Sequence, residues 1–275
     1  MRNDVADGSD DKTYHVIAGM PRSGSTLLCN ILAQNPRFEV TATSEILGVI
    51  FNVRDAWVQA IGSACSAERQ MGILRGVLRH HYQRRSKPVI FDKCRGWLAA
   101  METLEAILGR KAKVLVPVRD VRDVLASFEK IWRRNVATSL IPHQRTDPVA
   151  FEGMEGRCAT WMRPQDIVGL AYARIEDALA RGYRDRMHFV RFDRLTSEPE
   201  ATLRGIYAFL DEPCFAHNFD AVEQVTWEDD MVHGMKGLHD IRAKVEAMPP
   251  QWPHILGDVA GKYSGPYVWD LPQWK

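Results

Sequence analysis

One stretch, Tyr14 to Leu32, reading YHVIAGMPRSGSTLLCNIL, constrains what this chain can fold into more than any other. Val16, Ile17 and Ala18 form a short apolar run. Gly19-Met20-Pro21-Arg22-Ser23-Gly24-Ser25-Thr26 then makes a glycine-bounded turn, and Leu27, Leu28, Ile31 and Leu32 carry helical apolar spacing. The pattern predicts a strand, a tight loop and a helix start. Such a loop aims backbone N–H groups at one spot, where the helix dipole adds partial positive charge. A phosphate or similar oxyanion is the natural ligand.

The loop departs from the nucleotide-binding pattern G-x-x-x-x-G-K-[ST] at one decisive position, since Ser25 stands where that pattern has lysine. The cation of this loop is Arg22, three residues earlier, with hydroxyls from Ser23, Ser25 and Thr26 beside it. The bland alternative is an ordinary strand–turn–helix corner that happens to carry glycines.

The charge balance limits the partners. With 36 basic and 35 acidic residues, a net charge of +1, the chain lacks the bulk field that binds nucleic acid or a membrane surface, so an anion site must be local. No apolar run has the length of a membrane span. The acidic, polar start MRNDVADGSDDKT lacks the regions of a secretory signal, and residues 1–13 are expected to be a disordered lead-in to a single domain over 14–275. Five cysteines at scattered spacings, none in a C-x-x-C pair, predict free thiols in a reducing cytoplasm and no zinc site.

Along the chain, strand and helix patterns alternate. Phe38-Glu39-Val40 reads as a short extended piece, and Ser44 as the cap of a helix from Ile46 through Ile61. A helix from Ala67 to Arg84 ends in a basic cluster whose adjacent His80 and His81 do not share a face, which predicts a solvated helix end. Val89–Asp92, Val114–Val118 and Met187–Phe192 read as further strands. Helices are expected over Trp97–Leu108, Val121–Arg134, Cys158–Ala180 and from Ser197 to Leu210, with a long charged loop containing Pro142 and Pro148. This order predicts an α/β fold, a central parallel sheet flanked by helices and P-loop NTPase-like, with ligands at the carboxyl ends of the strands. Arg22, Lys93 and Arg119 all fall just past strand ends. Beyond Pro213 the pattern weakens, and Trp252–Trp274, rich in proline and aromatics, is expected to pack along the outside.

The motifs resemble those of sulfotransferases that use 3′-phosphoadenosine-5′-phosphosulfate (PAPS) and release adenosine 3′,5′-bisphosphate (PAP). Pro21-Arg22-Ser23-Gly24-Ser25-Thr26 looks like their 5′-phosphosulfate loop. Val118-Arg119-Asp120 through Ser127 is similar to their 3′-phosphate motif, in which an arginine and a serine eight residues later hold that phosphate. Val190–Leu195, then Pro199 and Phe209-Leu210, resembles a third segment, with Phe192 where the family usually has tyrosine and so without its hydroxyl. The resemblance covers roughly Tyr14 to Pro213 and more loosely the loop Met235 to Val245, and an arginine in the first loop is closer to the tyrosylprotein and bacterial enzymes than to cytosolic small-molecule ones. It implies that Arg22 stabilises the transferring sulfuryl group, Glu45 is the base, Lys93 assists, and Arg119 and Ser127 bind the 3′-phosphate. It also offers Arg242 or Lys244 as further cofactor contacts.

Elementary chemistry agrees with that reading. A sulfuryl group carries less charge than a phosphoryl group and needs no Mg²⁺ clamp, so a metal-independent transfer is expected, driven by fixed cations and N–H donors where charge develops. Asp92, a strand-end carboxylate, keeps a nucleotide-dependent kinase or phosphotransferase open. A non-catalytic nucleotide-binding scaffold is a third reading. Glu45 has a helix-cap alternative and Lys93 an ion pair with Asp92 or another acid. The acceptor is unspecified: sugar, lipid, peptide tyrosine or small molecule. Helices over Ile46–Arg84 and the loop Asn135–Arg157 are expected to wall its pocket.

Overall fold

The computed structural model describes residues 12–61, 66–137 and 147–272. Cys65, Pro142 and most of the expected lead-in lie outside them. Five parallel strands form one sheet in the order β2-β3-β1-β4-β5. They are β1 (Thr13–Ile17), β2 (Phe38–Thr43), β3 (Val89–Lys93), β4 (Val114–Val118) and β5 (Met187–Arg191). The extended piece expected at Phe38–Val40 is therefore a full edge strand.

Side-chain alternation divides the core in two. Val16, Ile90, Val114, Val116 and Val118 face one core, and Ile17, Val89, Phe91 and Leu115 face the other. The chain steps outward from β1 to β2 and then returns through β3, β4 and β5. Right-handed crossovers then put α1 (Ser25–Leu32) on the second face, opposite the helices that follow. The first face is covered by α2 (Ile46–Ile61), α3 (Ala67–Tyr82), α4 (Met101–Leu108), α5 (Val121–Asn135), α6 (Pro148–Glu152), α7 (Met154–Trp161) and α8 (Gly169–Ala180). After β5, α9 (Phe192–Ser197) and α10 (Pro199–Leu210) join α1. Each fully buried aliphatic side chain contributes about 1.5–3 kcal/mol.

Three expectations are corrected. The helix expected over Cys158–Ala180 is two helices, α7 and α8. Pro164 cannot continue an α-helix. At Gly169 the chain folds back so closely that a Cβ would lie 2.3 Å from the carbonyl oxygens of Met162 and Arg163. The strand expected over Met187–Phe192, β5, stops at Arg191, and Phe192 opens α9. The helix expected to reach Arg84 ends at Tyr82, whose hydroxyl is drawn inward to Asp92.

The C-terminal segment packs outside α5, as its composition suggested. The amides of Gln251 and Trp252 donate to Asp123, Tyr267 donates to Asp120, and the Arg122 guanidinium lies over the Trp252 ring. On its other side α5 is tied to α7 through Glu129, which is fully buried and receives Arg157 at 2.6 and 2.8 Å. A buried carboxylate is tolerable only with such partners. These ties fix the helix that carries Ser127.

Candidate functional site

The strand order reverses at β1, and ligands in open α/β sheets bind in the crevice beyond the carboxyl ends of strands at such a point. The loop Gly19–Thr26 lies there. Its conformation is specific: Arg22 has φ 55° and Gly24 φ 81°, both left-handed. A non-glycine residue in that region costs on the order of 1–3 kcal/mol and occurs where the surrounding structure holds it for a purpose. The loop is pinned to β4. Met20 N donates to Pro117 O at 2.8 Å, and a Cβ on Gly19 would come within 2.2 Å of that oxygen. The Ser23 hydroxyl, expected to face a ligand, is buried between Met20 O (2.6 Å) and Pro117 O (3.0 Å), so it stiffens the loop instead. Pro21 is buried, Ser25 is partly exposed and Thr26 is buried at the start of α1. No side chain caps that helix, which leaves its first N–H groups for a ligand.

Arg22 reaches across to α5, where its Nε donates to Ser127 Oγ at 3.0 Å. Arg119, just beyond β4, donates to Arg22 O at 3.4 Å and stacks over the Phe192 ring at 4.4 Å. The same ring closes over Gly24, where a Cβ would lie 2.6 Å from it. Phe192, expected among the cofactor-binding residues but without the family's hydroxyl, acts as a platform that orients Arg119 and requires glycine at position 24. The Arg119 Nε is buried without a hydrogen-bond partner. Arg22 is held down to about 10 by burial and by the neighbouring Arg119. Two half-buried guanidiniums side by side, one with an unmet donor, suit a polyanion.

Asp92 and Lys93 are adjacent, and the pleat sends them to opposite faces. Asp92 accepts from the Trp97 indole at 2.8 Å and from the Tyr82 hydroxyl, and its carboxyl is pushed up by burial. It is a buried residue whose two oxygens are taken by Tyr82 and Trp97, and the feature that kept a kinase reading open is committed to the core. Lys93 turns to the face that carries α1, near Cys29, in register with Ile17 of β1, and is 8% exposed. Its partner is Glu228, not Asp92.

Glu228 is the principal residue that sequence reasoning missed. It lies in a strap, residues 222–245, that crosses the strand ends. Glu228 contacts the Lys93 ammonium and accepts from Thr43 N at 3.2 Å. Its other oxygen lies 3.2 Å from Nε2 of His239, whose Nδ1 is 2.5 Å from Asp230. Lys93 and the contact from Thr43 hold the Glu228 carboxyl below its usual range, although burial opposes this. The strap is anchored on α1 as well, with Val225 N and Thr226 N donating to Asn30 Oδ1 at 2.5 and 3.0 Å. No motif marks it, because its contacts span nearly 200 residues.

Glu45 sits one residue before α2, exposed, with Ser44 acting as the expected cap through Ile46 N at 3.3 Å. The Ser44 amide donates to Lys93 O at 2.9 Å, which holds Glu45 beside the end of β3. Arg242 faces solvent, 3.7 Å from Glu246, but its charge is felt by Lys130 together with Arg22, Arg119 and Arg134. Lys244 pairs at 3.7 Å with Asp220 on the exposed surface and is not brought to the loop. Lys236, in contrast, is tied through its backbone to Asn135 at the end of α5.

Comparison with known proteins bears on the family and the fold. Residues 16–217 match the model of the sulfotransferase family. The sulfotransferase domain of the Synechococcus PCC 7002 olefin synthase is 17% identical, covers 95% of this chain and 96% of its own, and superposes with a TM-score of 0.51. A sulfotransferase from Mycobacterium avium is 14% identical over 92% of this chain and 77% of its own, with a TM-score of 0.48. A mouse sulfotransferase complexed with PAP is 11% identical over 94% and 86%, with a TM-score of 0.47. No curated protein sequence matches. Among the described residues no helix is long and apolar enough to cross a membrane.

Proposed function

The chain belongs to the sulfotransferase family, and from that premise we propose that its donor is PAPS and that it transfers the sulfuryl group to an acceptor hydroxyl or amine, releasing PAP. The observation that carries the proposal is the junction of Arg22, Ser127, Arg119 and Phe192 at an uncapped helix N-terminus. PAPS supplies an activated sulfuryl group on a phosphate leaving group. The chain's own residues supply the rest. The loop amides and Arg22 bind the 5′ side and stabilise charge growing on the bridging oxygen. Arg119, oriented by Phe192, and Ser127 hold the 3′-phosphate; Arg242 and Lys236 contribute positive charge nearby. Lys93, held by Glu228, directs its ammonium to the sulfuryl oxygens, and Glu45 takes the acceptor's proton.

The four described cysteines are free, two of them fully buried, which suits a reducing compartment such as the cytoplasm. The experiment that tests the function is transfer from labelled PAPS in excess EDTA. Full activity is expected; activity that needs added Mg²⁺, or ATP as donor, contradicts it. For the base, Glu45→Gln should lower turnover by about 10²–10⁴ with PAP affinity nearly unchanged. A fall smaller than about tenfold removes Glu45 from that role.

A further inference from the structure

Two of the cations assigned to the transfer, Lys93 and Arg22, answer to carboxylates of the strap. Lys93 is contacted by Glu228 Oε1, which also accepts from Thr43 N at 3.2 Å. Arg22 feels the charges of Asp230 and Asp240. One imidazole joins these two attachments. His239 Nδ1 is 2.5 Å from Asp230 Oδ1, and its Nε2 is 3.2 Å from Glu228 Oε2. The His239 amide donates to the other Asp230 oxygen at 3.2 Å, and Gln224 donates to the His239 carbonyl at 3.2 Å, so the ring is held in place from its own backbone.

A neutral imidazole has one N–H and one lone pair, yet both nitrogens of His239 face carboxylates. The shorter contact takes the hydrogen, so Nδ1 donates to Asp230. The Nε2 lone pair then points at Glu228 Oε2 with no hydrogen between them. With the ring neutral, the Lys93 ammonium balances only one of the two carboxylates. A second ring proton supplies the missing donor and cancels the remaining charge. Burial opposes that proton and pushes the ring below its ordinary value, Asp230 and Glu228 pull it up, and Lys93 sides with burial. Such a ring gains a proton when negative charge arrives beside it or when the neighbouring cation is drawn off. A bound donor does both, since its phosphates bring negative charge to Arg22 and its sulfuryl oxygens engage Lys93.

We propose that His239 takes up a proton from solvent when PAPS or PAP binds, so that Glu228 and Asp230 stay countered while Lys93 and Arg22 serve the ligand. This rests on the donor reading above. His239 is a positioning residue, acting through Glu228 on the direction of Lys93. The groups that set its titration are Glu228 and Asp230 from the strap and Lys93 from β3, with Asp240 and Arg22 one step further out. Ligand binding and proton binding then favour each other, and PAP affinity rises as pH falls.

Calorimetry of PAP binding to the full-length protein, repeated at pH 7 in buffers of different ionisation enthalpy, counts the protons exchanged. The phosphates of PAP themselves titrate at about pH 6, but they contribute equally to wild type and variants. His239→Gln keeps a donor and cannot be protonated; Glu228→Gln removes the carboxylate that faces Nε2. The wild type should take up at least about 0.3 proton more than either variant. His80→Gln, at the exposed end of α3, should match the wild type. From pH 8 to pH 6 the PAP affinity of the wild type should rise about three- to tenfold relative to His239→Gln. In the wild type alone, one imidazole followed by NMR should titrate at least about half a pH unit higher with PAP than without it, a reading that needs no variant to fold. A proton difference below about 0.3, or no imidazole moved by PAP, overturns the inference. A wild type that fails to bind PAP at any of these pH values overturns the donor reading instead, which is a different result.

Discussion

The loop Gly19–Thr26 and the strap 222–245 meet the same strand ends but are built by different means. The loop is contiguous: its left-handed Arg22 and Gly24, its bonds to Pro117 and the helix it opens arise from neighbouring residues and one adjacent strand. The strap has little regular structure and is held by side chains, through Asn30 to Thr226, Lys93 to Glu228 and Asp230 to His239. A site assembled this way combines a rigid anion cradle with a section whose attachment depends on a few ionisable contacts. The loop should set the chemistry, and the strap should tune it.

Removing the loop's charge should have the largest effect. Arg22→Ala is expected to lower kcat by about 10²–10³, the cost of losing a donor to developing negative charge, without unfolding the protein. Single-turnover kinetics and a melting curve on the same sample test this. Near-normal turnover would mean that the cradle's strained arginine has no part in the chemistry.

The second effect concerns the scaffold beneath the loop. His15, on the strand that feeds it, is 2% exposed, has both ring nitrogens unpartnered, and is lowered to about 3 chiefly by burial. It is neutral in the folded protein, whereas the unfolded chain takes up its proton below about 6.5. Stability from this group is complete above that pH and declines as pH falls from about 6.5 toward 3. At pH 5 the loss is about 2 kcal/mol relative to pH 8. His15→Leu should remove that part of the acid dependence in urea titrations at the two pH values. If the variant keeps the full slope, the buried histidine is not its source.

The smallest effect belongs to the strap. Glu228→Gln keeps the shape but removes the charge opposite Lys93, so turnover should fall about tenfold, the worth of one charge-assisted hydrogen bond. Hydrogen exchange should quicken at the Val225 and Thr226 amides while that of the Met20 amide, bonded to Pro117, stays slow. Equal loosening of both regions would erase the distinction between them.

The same contrast governs what the sequence discloses. Strand and helix alternation, the parallel sheet and the loop were legible because each rests on local pattern, although the edge strand β2 read only as a short extended piece. Arg119 and Ser127 were legible as a spaced pair on one helix and its preceding turn. Three things were not. Which face of β3 Asp92 and Lys93 would occupy depends on strand register. Phe192 gains its role only because the fold stacks it between Arg119 and Gly24. Glu228 meets Lys93 from 135 positions away, and a lone glutamate in a weakly patterned segment carries no signal of its partner. Of the two cations that the resemblance offered in the C-terminal loop, Arg242 and Lys244, the latter lies on the exposed surface beside Asp220.

The central claim is that Arg119 and Ser127 recognise a 3′-phosphate beside the loop. Calorimetric titration with PAP and with AMP, which lacks that phosphate, tests it most directly in the wild type and in the Arg119→Ala, Ser127→Ala double variant. Charged hydrogen bonds are worth roughly 1.5–3 kcal/mol each, so the double variant should lose several kcal/mol for PAP and almost nothing for AMP. Equal losses for the two ligands, or a wild type that binds them equally, would contradict the account.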